Sequence, residues 1–216
     1  MKAILAILIL GACQICFGAG EASIIAMSAW SKPAALRNQH GHDEAIRGRL
    51  LIVKGTEPGY GGPNPENGAM TFVELQNVTP SCGEGIDVYF AVTNLHCQLA
   101  DAAGKAVPLP TQGGWGGRGP FLPCWVKLPY NSSIRLFVNG GRMDPLSVYP
   151  GGEPWSYWSI AKNDTNIYYL AGTLSISTHT NSSDAPIFGE RYYKATLVFP
   201  KTKISSEAAR PSSGEG

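Results

Sequence analysis

The stretch Ile86-Asp87-Val88-Tyr89-Phe90-Ala91-Val92-Thr93 alternates: Val88, Phe90 and Val92 fall on one side, Tyr89, Ala91 and Thr93 on the other. A period of two belongs to a pleated strand with one buried and one half-wet face, not to a helix. The same pattern returns further along. Ile167 to Ile176 groups Leu170, Gly172, Leu174 and Ile176, and Tyr192 to Phe199 groups Tyr193, Ala195, Leu197 and Phe199. Outward from these, Arg49–Val53, Met70–Leu75, Cys124–Leu128, Ser133–Val138 and Trp155–Ile160 are further strand-like runs. Asp101-Ala102-Ala103-Gly104-Lys105 reads as a hairpin turn between Cys97-Gln98-Leu99 and Ala106-Val107. The 26 Gly and 16 Pro of the chain suit short strands joined by turns and disfavour a helical bundle. The expected fold is all-β: an immunoglobulin-like antiparallel β-sandwich of about eight or nine strands, with a closed barrel as the alternative.

The N-terminus reads as an export signal. Met1-Lys2 is followed by the apolar run Ala3 to Leu10 and then by small residues at Gly11-Ala12 and Gly18-Ala19-Gly20. The run is too short for a membrane span of about 20 apolar residues and has the layout of a secretory signal peptide. A competing reading takes Leu10-Gly11-Ala12-Cys13 as a lipoprotein box, which would place the protein on a membrane through a lipidated Cys13. The resulting division is a signal peptide over 1–20, an irregular leader over 21–45, a β-sandwich domain over 46–204 and a disordered tail over 205–216.

The chain has 216 residues, 44% of them hydrophobic, enough for one well-filled core. A net charge of +1 points away from nucleic acid as a partner. Once Cys13 and Cys16 leave with the signal, Cys82, Cys97 and Cys124 remain. Export makes a disulfide reasonable, and Cys97–Cys124 is the favoured pair because both lie in strand-like runs, whereas Cys82 lies in a Pro- and Gly-containing loop.

The turn-rich run ending in Val88-Tyr89-Phe90-Ala91-Val92-Thr93-Asn94, the Gly104 hairpin and Tyr168-Tyr169-Leu170-Ala171-Gly172-Thr173-Leu174 together resemble uncharacterised exported bacterial β-sandwich proteins. More loosely, the order of strands resembles the immunoglobulin-like proteinase-inhibitor domain called BsuPI. The resemblance implies a fold and export over roughly residues 46 to 204, and carries over no catalytic residue.

Each candidate site has a plainer reading beside it. His40-Gly41-His42-Asp43-Glu44 has metal-binding donors, but close spacing alone builds no tetrahedral site, and a solvated polar leader is the plainer reading. His96-Cys97 with Cys82 and Cys124 lacks both a zinc-knuckle spacing and a nucleophile context. His179 has no evident acid or nucleophile, and no Gly-x-Ser-x-Gly elbow occurs. Gly113 to Gly119 lacks the lysine of a phosphate loop. Four sequons, at Asn77, Asn131, Asn163 and Asn181, carry no weight in a bacterial chain, which the short signal and the resemblance favour.

Aromatic side chains are the best lead. Trp115 and Arg118 in the glycine-rich loop, with Tyr149, Trp155, Tyr157 and Trp158, could grip a partner or stack on sugars, the plainer reading of the latter group being core filling. The expected role is therefore an exported, non-catalytic module without cofactor that binds a protein or a cell-envelope component. A carbohydrate-binding module using exposed aromatics is one alternative, and an extracellular protease inhibitor another. A membrane is expected as a partner only through lipidation at Cys13.

Overall fold

A computed structural model describes residues 23–38, 41–54, 68–79, 85–109, 123–142, 146–152, 156–161, 163–179 and 192–205. Among these residues there are twelve strands, one turn of 3-10 helix at Val92–Asn94 and no α-helix. All strand pairs are antiparallel.

The first sheet contains β1 (Ser23–Met27), β2 (Ala34–Arg37), β3 (Asp43–Lys54), β4 (Gly68–Asn77) and β8 (Ser133–Arg142). Its order is β1-β3-β4-β8, with β2 also paired to β3. The second contains β5 (Ile86–Phe90), β6 (Leu95–Asp101), β7 (Cys124–Leu128), β11 (Ile167–His179) and β12 (Tyr192–Ser205). Its order is β12-β11-β5-β7, with β6 also on β11. A separate hairpin pairs β9 (Leu146–Val148) with β10 (Trp158–Ile160).

Alternation places the buried residues of both sheets in one core. Ile46, Leu50, Ile52, Val73 and Leu75 of the first sheet pack with Leu95, Leu99, Leu174, Leu197 and Phe199 of the second, giving a sandwich-like arrangement. The layers pack tightly at Gly48, where an added Cβ would lie 3.0 Å from Leu197 Cδ1 and 3.1 Å from Phe199 Cε1. Hydroxyls stitch the layers at one side: Thr178 Oγ1 donates to the Arg37 carbonyl at 2.6 Å, and Thr202 Oγ1 to the Met27 carbonyl at 3.0 Å.

The stretch 21–45, expected to be irregular, instead holds β1, β2 and the start of β3. Two serines hold this edge in register where strand pairing lapses. Ser28 N–H donates to the Leu50 carbonyl and Ser28 Oγ accepts from Leu50 N–H, both at 3.0 Å. Ser31 does the same with Gly48, at 2.8 and 3.0 Å. A hydroxyl in place of a carbonyl supplies the acceptor, so the period of the sequence shows no strand there.

The single run read at 86–93 is split. β5 ends at Phe90, the 3-10 turn inserts three residues, and β6 resumes pairing along the same edge of β11. The turn read at Asp101–Lys105 is present: Asp101 N–H donates to the Lys105 carbonyl at 2.9 Å, and Gly104 has φ +83°. β12 runs past Pro200 to Ser205, with a bulge opposite Leu170–Gly172. A proline is tolerated because β12 ends the sheet order and its missing N–H faces no ladder partner. Residues 206–216, the rest of the expected tail, and 1–22, which hold the expected signal, lie outside the described residues.

Candidate functional site

The expected bridge between Cys97 and Cys124 is not formed; both are free thiols. Cys97 points into the core from β6, beneath Gly172, where an added Cβ would stand 2.9 Å from its sulfur. Burial pushes that thiol up to about 12. Cys124 opens β7 on the edge of the second sheet, exposed and opposite Phe90. Cys82 lies outside the described residues. His96 is exposed while its neighbour Cys97 is buried, so alternation separates the two members of the suggested pair.

In the polar stretch 38–44, Gly41, His42 and Asp43 are exposed, as a solvated segment would be, but Asn38 and Glu44 are not. Asn38 and Glu44 are buried, and Glu44 accepts from Asn38 Nδ2 at 2.9 Å and from Asn77 Nδ2 at 3.1 Å. Asn77 Oδ1 in turn accepts from Thr79 N–H at 3.1 Å and from Thr79 Oγ1 at 2.5 Å. Asp43 pairs with Arg37 at 3.0 Å, and the Arg37 guanidinium holds its carboxyl below the ordinary carboxylate range. Glu44 and Asp43 are therefore engaged with Asn38, Asn77 and Arg37, and no group of three or more His, Cys, Asp or Glu able to hold a metal occurs among the described residues. His40 lies outside them. The Asn77 sequon is buried, whereas Asn131 and Asn163 are exposed.

Of the aromatic lead, Trp115, Arg118 and Trp155 lie outside the described residues. Tyr149 and Trp158 belong to the core, and Trp158 Nε1 donates to the Val107 carbonyl at 3.1 Å. Tyr157, ahead of β10, is exposed. No plane formed by Tyr157 and Trp158 faces solvent.

The most exposed tryptophan among the described residues is one that the sequence places in an ordinary strand run. Trp125 of β7 is 41% exposed on the outer face of the second sheet, directly opposite Tyr89 of β5. Their ring centroids are 5.2 Å apart with planes tilted by 54°. Asp87 and Lys127 form the next pair on the same face, and Ser177 of β11 flanks Tyr89. The signal that could have found this pair is parity: Tyr89 lies between buried Val88 and Phe90, and Trp125 is out of phase with buried Val126 and Leu128, so both point outward.

The outer face of the first sheet carries a second cluster. Trp30, between β1 and β2, lies against two guanidiniums, with Arg47 Cζ at 4.8 Å and Arg49 Cζ at 4.4 Å from its ring centroid. Arg49 Nη2 binds Glu74 Oε2 at 2.8 Å, Arg135 Nε reaches the same oxygen at 3.4 Å, and Arg47 Nε donates to Gln76 Oε1 at 2.8 Å.

No family model, no curated protein and no solved structure matches this chain.

Proposed function

We propose that the chain is an exported, non-catalytic, immunoglobulin-like β-sandwich that binds a protein or another component of the cell envelope through the outer face of its second sheet. The observation that carries this is Trp125, 41% exposed on a strand and packed against Tyr89. A large aromatic held by a rigid strand offers contact area at little ordering cost, and tryptophan and tyrosine are enriched among interface residues that dominate binding. Export rests on the apolar run Ala3 to Leu10.

A glycan platform is less favoured than a protein contact. Rings tilted by 54° offer no common plane for successive sugar rings, and Trp158, one of the residues on which that reading leaned, is in the core.

The test is site-specific photocrosslinking in the producing cell. A photoreactive residue at position 125 should give a discrete protein adduct, and one at Lys105, in the turn after β6, should not. Equal adducts at both positions, or none at 125, would reject this face as the contact. A shift of tryptophan fluorescence with soluble cell-wall glycan, lost in Trp125→Ala, would revive the carbohydrate reading.

A further inference from the structure

We propose that Asn139 and Gly140 of β8 form a self-modifying site: the Asn139 carboxamide closes on the Gly140 backbone nitrogen, with Tyr149 as proton donor, and reopens as aspartate or isoaspartate. Gly140 N–H donates to Asn139 Oδ1 at 2.8 Å, so the nucleophile already sits beside the group that it attacks. A glycine after asparagine sets no Cβ in the path of that nitrogen. Gly140 is exposed, which lets solvent take its proton. The carboxamide is also oriented. With Oδ1 turned to Gly140, Nδ2 is left for Tyr149, whose phenol is hydrogen-bonded to the Asn139 side chain.

The step balances without a cofactor. Gly140 nitrogen gives its proton to hydroxide and bonds to Asn139 Cγ. The bond from Cγ to Nδ2 breaks, and Nδ2 leaves as ammonia with a proton from Tyr149. The phenolate then recovers a proton from water. Burial pushes the Tyr149 phenol up to about 12, so it holds that proton in neutral solution until the leaving nitrogen takes it. Water opens the cyclic imide at either carbonyl: one opening gives aspartate, and the other routes the main chain through the side-chain carbonyl as isoaspartate. Both products set a carboxylate against the buried Tyr149 side chain, and isoaspartate adds a methylene to β8.

An extended backbone points the following nitrogen away from Cγ, so Asn139 must swing out of the ladder for the ring to close. β8 is built to allow this. Thr71 pairs with Asn139 and Phe72 with Phe137, which leaves Val138 as an extra residue, and Gly140 and Gly141 follow directly. β8 also ends the order of its sheet among the described residues, so only the β4 ladder has to open. A bulge, two glycines and a terminal position together place this segment at the low end of opening cost.

Peptide mapping of the full chain, aged in neutral buffer, tests this. Mass spectrometry should find Asn139 converted to the acid, with isoaspartate detected by enzymatic methylation. The native rate should equal or exceed that of the same residue in the chain unfolded by guanidinium. Gly140→Ala should slow the reaction severalfold without harm to the fold, since the new Cβ would lie 3.6 Å from Phe137 Cζ, an ordinary contact. Tyr149→Phe should slow it about tenfold or more in the native chain only, with part of the loss restored by imidazolium buffer as an external acid. A tyrosine that served packing alone would give the reverse, because a loosened strand closes the imide sooner. The proposal is overturned if Asn139 stays intact in the native chain while it converts in the unfolded one. It is overturned as well by a Tyr149→Phe rate equal to or above that of the unaltered chain, or by an unchanged rate in Gly140→Ala.

Discussion

Asn77 of β4 donates through Nδ2 to Glu44 Oε2 of β3 across 3.1 Å, and both side chains are buried. This bond, with Asn38 on the other carboxylate oxygen, ties the β2–β3 turn to the end of β4. A buried carboxylate without its donors loses far more than a neutral group does. Asn77→Ala should therefore destabilise by about 2–3 kcal/mol. Asn77→Asp, which sets a second carboxylate beside Glu44, should cost more. Urea denaturation of both variants checks the order, and equal midpoints for wild type and Asn77→Asp would disprove a closed network. The same burial predicts that the Asn77 sequon stays unmodified in the folded chain even in a host that glycosylates Asn131.

Trp125 and Trp158 should respond in opposite ways to removal. Trp158 fills the core and donates to the Val107 carbonyl, so Trp158→Ala should cost about 3–5 kcal/mol. Trp158→Phe, which keeps most of the volume and loses the hydrogen bond, should cost about 1–2 kcal/mol. Trp125→Ala should shift the midpoint by no more than about 1 kcal/mol, the worth of its contact with Tyr89. Its effect belongs in the crosslinking and binding readouts instead. Chemical denaturation gives the first comparison, and a large loss of stability in Trp125→Ala would make that residue a structural one.

The elements legible in the sequence are those whose faces differ strongly in polarity. β5, β7, β11 and the first part of β12 were readable because Val88, Val126, Leu174 and Leu197 alternate with polar or outward residues. β1 and β2 were not. Their register depends on Ser28 and Ser31 taking the place of carbonyl acceptors, and on buried Asn38 and Glu44, none of which looks like a core residue. β12 hid its last third behind Pro200 and two lysines, which an edge strand tolerates. The aromatic lead failed at Trp158 for a related reason: Trp155, Tyr157 and Trp158 are so close that composition alone could not tell which of them points inward. Tyr89 and Trp125 lie 36 positions apart and meet only through the β5–β7 register.

The two thiols should separate by reactivity. Cys124 is exposed, and Cys97 is buried with its thiol pushed up to about 12 by desolvation. Iodoacetamide on the native protein should alkylate Cys124 and spare Cys97 until denaturant is added, with peptide mapping to assign each site. In alkali the unfolded thiol loses its proton from about pH 9, while the folded one keeps it to about 12. Stability contributed by Cys97 is thus complete below pH 9 and lost as pH rises through that window. Cys97→Ala should flatten the fall that begins near pH 9. It should keep the part between 10 and 12 that comes from Tyr149, whose phenol burial also pushes up to about 12. An unchanged alkaline profile in Cys97→Ala would mean that the thiol is not buried in solution.

Gly172 and Cys97 should be coupled through volume. A Cβ at Gly172 would lie 2.9 Å from the Cys97 sulfur and 3.1 Å from the His96 carbonyl oxygen, in a strand where no positive φ demands glycine. The glycine is there for space. Gly172→Ala should therefore destabilise by about 1–3 kcal/mol through overpacking. Cys97→Ala removes the sulfur, the nearer of the two obstacles, and should return part of that loss in the double variant even though it leaves a small void of its own. The double-mutant cycle from urea midpoints should show a non-additivity of about 0.5–1.5 kcal/mol favouring the pair. Strict additivity would place the strain on the His96 backbone instead, where no side-chain replacement could relieve it.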